Sequence, residues 1–176
     1  MNIRLALPED LDAVMSILRE AQTTIAALGV DQWQNGYPDR ETVARDIAAK
    51  RSVLIEDGGE IAATFALCGG EEPTYRVIRD GAWLTGDDNR RYLTLHRVAI
   101  AVSRRGTGLA GEIVRYAQDC ARREDLISLR ADTHEGNAPM RRMLAKHGFV
   151  PCGVIRLANG DPRVAYEKII QPEESA

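Results

Sequence analysis

The sequence predicts an α/β (α+β) fold, a mixed sheet of six to seven strands with about four helices. Three observations carry that reading. Two β-rich runs flank Asp57-Gly58-Gly59-Glu60, a hairpin signal. A strand, a glycine turn, a helix and a second strand follow one another between residues 92 and 131, a βαβ unit that requires a parallel pair. Apolar residues recur at helical spacing in the intervening segments. At 176 residues the chain can bury one core without disulfides or a structural metal, and a single domain over residues 1–170 is expected.

Ile3 to Leu7 is a short apolar run, and Pro8-Glu9-Asp10 supplies the proline and the acids of a helix's first turn. Leu11, Val14, Ile17 and Leu18 then recur at helical spacing, a pattern that persists to Leu28 and stops at Gly29. A second helix is expected from near Asp39 to Lys50, with Val43, Ile47 and Ala48 facing inward. The loop between them carries Trp33 and Tyr37 among turn residues. Such aromatics either cap the core edge or line a binding site, since each buries a large area and offers a polar tip.

Ser52 to Glu56 and Ile61 to Leu67 read as the hairpin strands. Residues 70–91 are polar and irregular, with Tyr75 and Trp83 the only aromatics, and read as an insertion beside the sheet. Tyr92 to Val102 is a strand rich in β-branched residues; Leu109, Ile113, Val114 and Ala117 mark a helix through about Arg122. Leu126 to Ala131 is a strand, Gly136 to His147 a helix ended by Gly148, and Phe149 to Leu157 with Val164 to Ile170 the last two strands. Residues 171–176 form a polar tail expected to fray.

Net charge is −3 with the signs interspersed, which gives no electrostatic footprint for nucleic acid. Cys68, Cys120 and Cys152 are odd in number and far apart, in neither a disulfide framework nor a zinc-ligand spacing. Cys120 and Cys152 are expected to face the core. No apolar run suits a signal peptide or a membrane span, so the expectation is a cytoplasmic protein with no membrane partner and no metal.

Arg105-Gly106-Thr107-Gly108-Leu109-Ala110 lies where a strand delivers the chain to a helix N-terminus, with its unpaired N–H groups and positive dipole end. Glycines let the backbone approach a phosphate, and Arg105 adds a planar cation, so a pyrophosphate is the natural guest. The spacing is neither a P-loop nor a dinucleotide fingerprint. A glycine turn that binds nothing, or an unrelated nucleotide site, stays open on these residues alone.

These residues resemble the GCN5-related N-acetyltransferase (GNAT) family, whose fingerprint is a strand followed by [Q/R]-x-x-G-x-[G/A]; Arg105, Gly108 and Ala110 match its fixed positions. Asn137-Ala138-Pro139-Met140-Arg141-Arg142-Met143-Leu144-Ala145-Lys146-His147-Gly148-Phe149 is similar to the family's second motif, N-x-x-[A/M]-x-x-L-Y-x-K-x-G-F. The opening Arg4-Leu5-Ala6-Leu7-Pro8-Glu9-Asp10 resembles the usual family start. The resemblance implies a mostly antiparallel sheet with a splayed central parallel pair and acetyl-CoA as co-substrate. It places Val98, Ala99 and Ile100 of the central strand, residues Arg105, Gly106, Thr107, Gly108, Leu109 and Ala110 of the turn, and Asn137 on that cofactor. One position departs: the tyrosine that protonates the departing thiolate in the family falls on Leu144.

The implied reaction is direct transfer of acetyl to an amine of a small molecule or peptide in a ternary complex. A non-catalytic acyl-CoA-binding regulator is the alternative that Leu144 favours. Strand alternation places Thr94, His96, Val98 and Ile100 on one face, and His96, whose ordinary pKa is about 6.5, is the leading base. The same residue reads equally as a structural histidine. Asp132 and His134 are further candidates for base or substrate anchor, with helix capping the plainer role for Asp132 or Thr133. The family's acceptor cleft would draw on Gln32, Trp33, Tyr37, Tyr75 and Trp83. A homodimer is expected from the family and from the frequency of two-fold oligomers.

Overall fold

The computed structural model describes residues 1–171. Its strands are β1 (Asn2–Leu5), β2 (Ser52–Asp57), β3 (Glu60–Gly69), β4 (Tyr92–Ile100), β5 (Ser128–Thr133), β6 (Val150–Arg156) and β7 (Pro162–Ile169). Its helices are α1 (Leu11–Ala26), α2 (Arg40–Ala48), α3 (Leu109–Arg123) and α4 (Ala138–Lys146). The strands form one seven-stranded sheet in the order β1-β2-β3-β4-β5-β7-β6. β4 and β5 run parallel, joining Tyr92–Thr94 to Ser128–Arg130. The β1–β2, β2–β3, β5–β7 and β6–β7 pairs are antiparallel, so the mixed, mostly antiparallel sheet that the sequence implies is the observed one. Among the described residues no helix is long and apolar enough to cross a membrane. Of the expected frayed tail, residues 172–176 lie outside the described residues.

Contacts group the chain into two compact units. The first comprises Met1–Leu67 and His96–Ile113. Its core packs Val14, Met15, Ile17 and Leu18 of α1 with Val43 and Ile47 of α2 and Leu54 of β2. A 3-10 turn at Pro8–Asp10 leads into α1. There the Asp10 carboxylate receives the Arg4 guanidinium at 2.6 and 2.9 Å and the Leu7 N–H at 2.7 Å. Asp39 caps α2 by accepting the Thr42 N–H at 2.8 Å. Ala48, expected to face inward, is exposed, and Asp46 is buried instead. A charge takes the inward position because a cation meets it, as described below.

Among the described residues, the second unit comprises Cys68–Leu95 and 114–171. Its core gathers Tyr75, Trp83, Tyr92, Cys152, Ile155 and Ala165. Through it runs an ion pair, Arg130 Nε to Glu167 Oε1 at 2.9 Å, with both side chains fully buried. The Arg130 guanidinium lies 4.0 Å from the Trp83 ring centroid and 4.1 Å from that of Tyr92, a cation held between two aromatic faces. Glu167 also accepts from the Ser128 hydroxyl at 2.6 Å and the Thr85 hydroxyl at 2.6 Å.

Segment 70–91 is therefore fastened to the sheet by Trp83 and Thr85, although it holds only a 3-10 turn at Pro73–Tyr75 and one bridge, Arg79 to Val154 of β6. Cys152 is buried as expected. Cys120 is only half-buried on α3, where its sulfur receives an Arg123 N–H at 3.0 Å.

Candidate active site

In the first unit the pleat of β4 breaks at Arg97, which has φ +50. Alternation counted through this position fails, so Thr94 and His96 do not continue in one uninterrupted row with Val98 and Ile100. The break is held by a charge. Arg97 Nε lies 2.7 Å from Asp46 Oδ2, with the two side chains 12% and 9% exposed. Its Nη1 donates to the Tyr37 hydroxyl at 2.7 Å. The sequence signal for this pair was Asp46 itself, an acid set at inward helical spacing beside Val43 and Ile47.

Beyond Ile100 the chain makes a 3-10 turn at Val102–Arg104 and enters the glycine turn. Gly106 and Gly108 have φ +79 and +93, a region that side-chain-bearing residues rarely adopt. A Cβ at either would meet nothing within 4 Å, so open space lies above this backbone. The first hydrogen bonds of α3 run from the Gly111 and Glu112 N–H groups to the Gly108 carbonyl, and the earlier N–H groups of the first turn have no acceptor within the helix. Arg105 is exposed and donates to Ile100 O at 3.3 Å and Thr24 Oγ1 at 3.0 Å, both neutral groups that leave its charge uncancelled. A set of N–H donors with one cation and open space fits an anionic phosphate.

The loop between α1 and α2 belongs to the same unit and is well tied. Gln22 Nε2 donates to Tyr37 O and Gln34 Nε2 to Gln22 O, each at 3.1 Å. Gln32 is buried, Trp33 is half-buried against the core with φ +67, and Tyr37 is 39% exposed.

In the second unit Asp132, near the end of β5, accepts the Tyr75 hydroxyl at 2.7 Å. Burial, and then the negative Asp132, push the Tyr75 phenol well above its usual value, so it remains a donor. Tyr75 and Trp83, expected near an acceptor, are 1% and 3% exposed, and the Trp83 indole N–H is committed to Tyr75 O at 3.1 Å. Trp83 is a core residue that holds Arg130, and Tyr75 acts on Asp132.

His134 Nδ1 accepts the Gly136 N–H at 2.9 Å, which assigns the ring proton to Nε2. Asn137, rather than Asp132 or Thr133, caps α4: its Oδ1 accepts the Met140 N–H at 3.2 Å. Leu144 is fully buried in the core.

A sequence profile of the acetyltransferase (GNAT) family matches residues 11–149. The streptothricin acetyltransferase of Streptomyces lavendulae is 28% identical over 166 residues, 87% of this chain and 83% of that protein. A GNAT-family acetyltransferase structure from Streptococcus agalactiae is similar with a TM-score of 0.87 at 39% identity, covering 97% of this chain and 96% of that one. Another from Listeria monocytogenes shares the fold, with a TM-score of 0.72 at 18% identity over 96% and 94% of the two chains. A profile match running from the first helix to Phe149, with a 39%-identical neighbour over nearly the whole length, settles the lineage: the chain belongs to the GNAT family of acetyltransferases.

Proposed function

We propose that this protein, as one domain over residues 1–170, transfers an acetyl group from acetyl-CoA to an amine by direct attack in a ternary complex. The observation that carries the reading is the turn ahead of α3, whose donors, cation and open space suit a pyrophosphate. Residues Arg105 to Ala110 would hold the phosphates. The β4 backbone at Val98, Ala99 and Ile100 and the side chain of Asn137 would hold the pantetheine arm. Bound acetyl-CoA supplies an activated thioester; everything else falls to the chain's own groups.

Those groups must orient an uncharged amine and accept its proton. His96, half-buried beside the break at Arg97, is the proposed base. His134 is weaker, because its Nδ1 lone pair is already used by Gly136 and its Nε2 bears the proton. Asp132, held by Tyr75, suits an anchor for a cationic acceptor. Gln32, Trp33 and Tyr37 would shape the acceptor's place. The relative named for streptothricin favours a small molecule over a peptide.

Amine-dependent release of coenzyme A thiol, measured across a panel of small amines and peptide N-termini, tests this directly. Release that rises with one amine class supports the enzyme and names its acceptor. One observation favours a second reading: Leu144, where a phenol is expected, is fully buried and can donate nothing. Tight acetyl-CoA binding with no release for any amine would support an acyl-CoA-binding regulator instead.

A further inference from the structure

A thioester's sulfur leaves as a thiolate and is better expelled if a proton reaches it, yet Leu144 offers none. We infer that Tyr166 of β7 supplies that proton, an inference that rests on the acetyl-transfer reading above. Tyr166 pairs with Ala131 of β5 in the antiparallel ladder, and Arg130 pairs with Glu167. Cross-strand partners share a face, so the buried ion pair occupies one face and Tyr166 the other.

On that face Tyr166 is met by α4: the Arg141 Nε donates to its hydroxyl at 3.0 Å. Asn137, Arg141 and Leu144 stand at i, i+4 and i+7, which is one side of the helix. Asn137 is the residue proposed to hold the pantetheine arm, and Leu144 is the residue whose position lacks its phenol. Arg141 thus draws a phenol from the neighbouring strand to the helix face between them.

The bonding of this hydroxyl suits a donor. Tyr166 is 3% exposed, and its oxygen receives a cationic N–H, which stabilises negative charge there. Among the described residues its own proton is given to no carbonyl or side chain. Tyr75, by contrast, spends its proton on Asp132. Arg141 itself is fixed by a second bond, Nη1 to Glu135 O at 3.0 Å.

In the step, the amine nitrogen forms its bond to the acetyl carbon and the carbon–sulfur bond breaks. Tyr166 gives its proton to the departing sulfur, and Arg141 holds the resulting phenolate. The amine's surplus proton goes to the base, and solvent reprotonates Tyr166 after product release. Nothing is oxidised or reduced, and the products are the amide and the free thiol.

The test is a two-by-two titration: wild type and Tyr166→Phe, each with coenzyme A and with coenzyme A lacking its sulfur. A hydrogen bond to sulfur predicts about tenfold weaker binding of coenzyme A to the variant, with the sulfur-free analogue bound equally by both. Thiol release by the variant should fall about a hundredfold, the size of a lost general acid. Arg141→Met, which keeps the fold's phenol but strips its cation, should lower release in the same direction, and Arg141→Lys should restore part of it.

Equal weakening of both ligands, or unchanged release in Tyr166→Phe while wild type turns over, would overturn the assignment and leave acetyl transfer standing. No release by wild type with any amine would overturn the transfer reading and this inference together.

Discussion

Arg130 and Glu167 are fully buried, and their charge is balanced by each other, by Ser128 and Thr85, and by two aromatic faces. Removing one member strands the other, so Arg130→Met should cost about 3–5 kcal/mol, measured by denaturant unfolding. Burial pushes the Glu167 carboxyl up, but hydrogen bonds from Ser128, Thr85 and Arg130 outweigh it and leave the group below its usual range. Asp10 is likewise lowered, chiefly by the Arg4 guanidinium.

A carboxyl lowered in the folded state contributes stability that is present above its unfolded pKa and disappears as pH falls through the folded value. Melting temperature should therefore hold from neutrality to about pH 4.5 and drop below it, and Asp10→Asn should flatten that drop. At the proposed site, His96→Gln should lower kcat about a hundredfold with little change in acetyl-CoA KM; an unchanged kcat removes it as base. The Arg130–Glu167 pair was not legible in the sequence. A lone Arg or Glu reads as a solvated charge, and Arg130 meets Glu167 only after β5 and β7 pair.

Elements were far more legible, because periodicity and turn residues are local. All four helices and seven strands fall within a few residues of their expected places, since Pro8, Gly29, the Asp57–Glu60 turn and Gly148 punctuate the chain where the backbone changes course. What failed was phase. The left-handed Arg97 is fixed by Asp46 and Tyr37, which lie 51 and 60 residues away, so no local pattern announces the break in β4. The cap of α4 was misplaced for a related reason: three polar candidates precede the helix, and only geometry selects Asn137.

Two substitutions examine these elements. Gly108→Ala puts a side chain at φ +93, a strain of about 1–3 kcal/mol. The added Cβ meets no protein atom, so a loss of acetyl-CoA affinity beyond any loss of stability would report a ligand occupying that space. Gly153→Ala is different: its Cβ would sit 2.5 Å from Arg79 O at φ +149. It should loosen the bridge that covers β6, lowering the melting temperature and exposing segment 70–91 to protease while leaving the glycine turn intact.

For the whole chain, a seven-stranded sheet with one parallel pair and a family match from residue 11 to 149 account for the fold and the broad chemistry. The acceptor was not legible to the same degree, because its proposed contacts come from the loop between α1 and α2, where single residues rather than periodic patterns decide what fits. If acetyl-CoA binds the folded state alone, a hundredfold excess over Kd should stabilise the protein by about 2.7 kcal/mol, visible as a higher melting temperature.

Calorimetric titration of the purified protein with acetyl-CoA, and separately with ATP, comes first. One-site acetyl-CoA binding much tighter than that of ATP, weakened by Gly108→Ala, is the predicted result. Binding of ATP as tight as that of acetyl-CoA, or no acetyl-CoA binding at all, would contradict it.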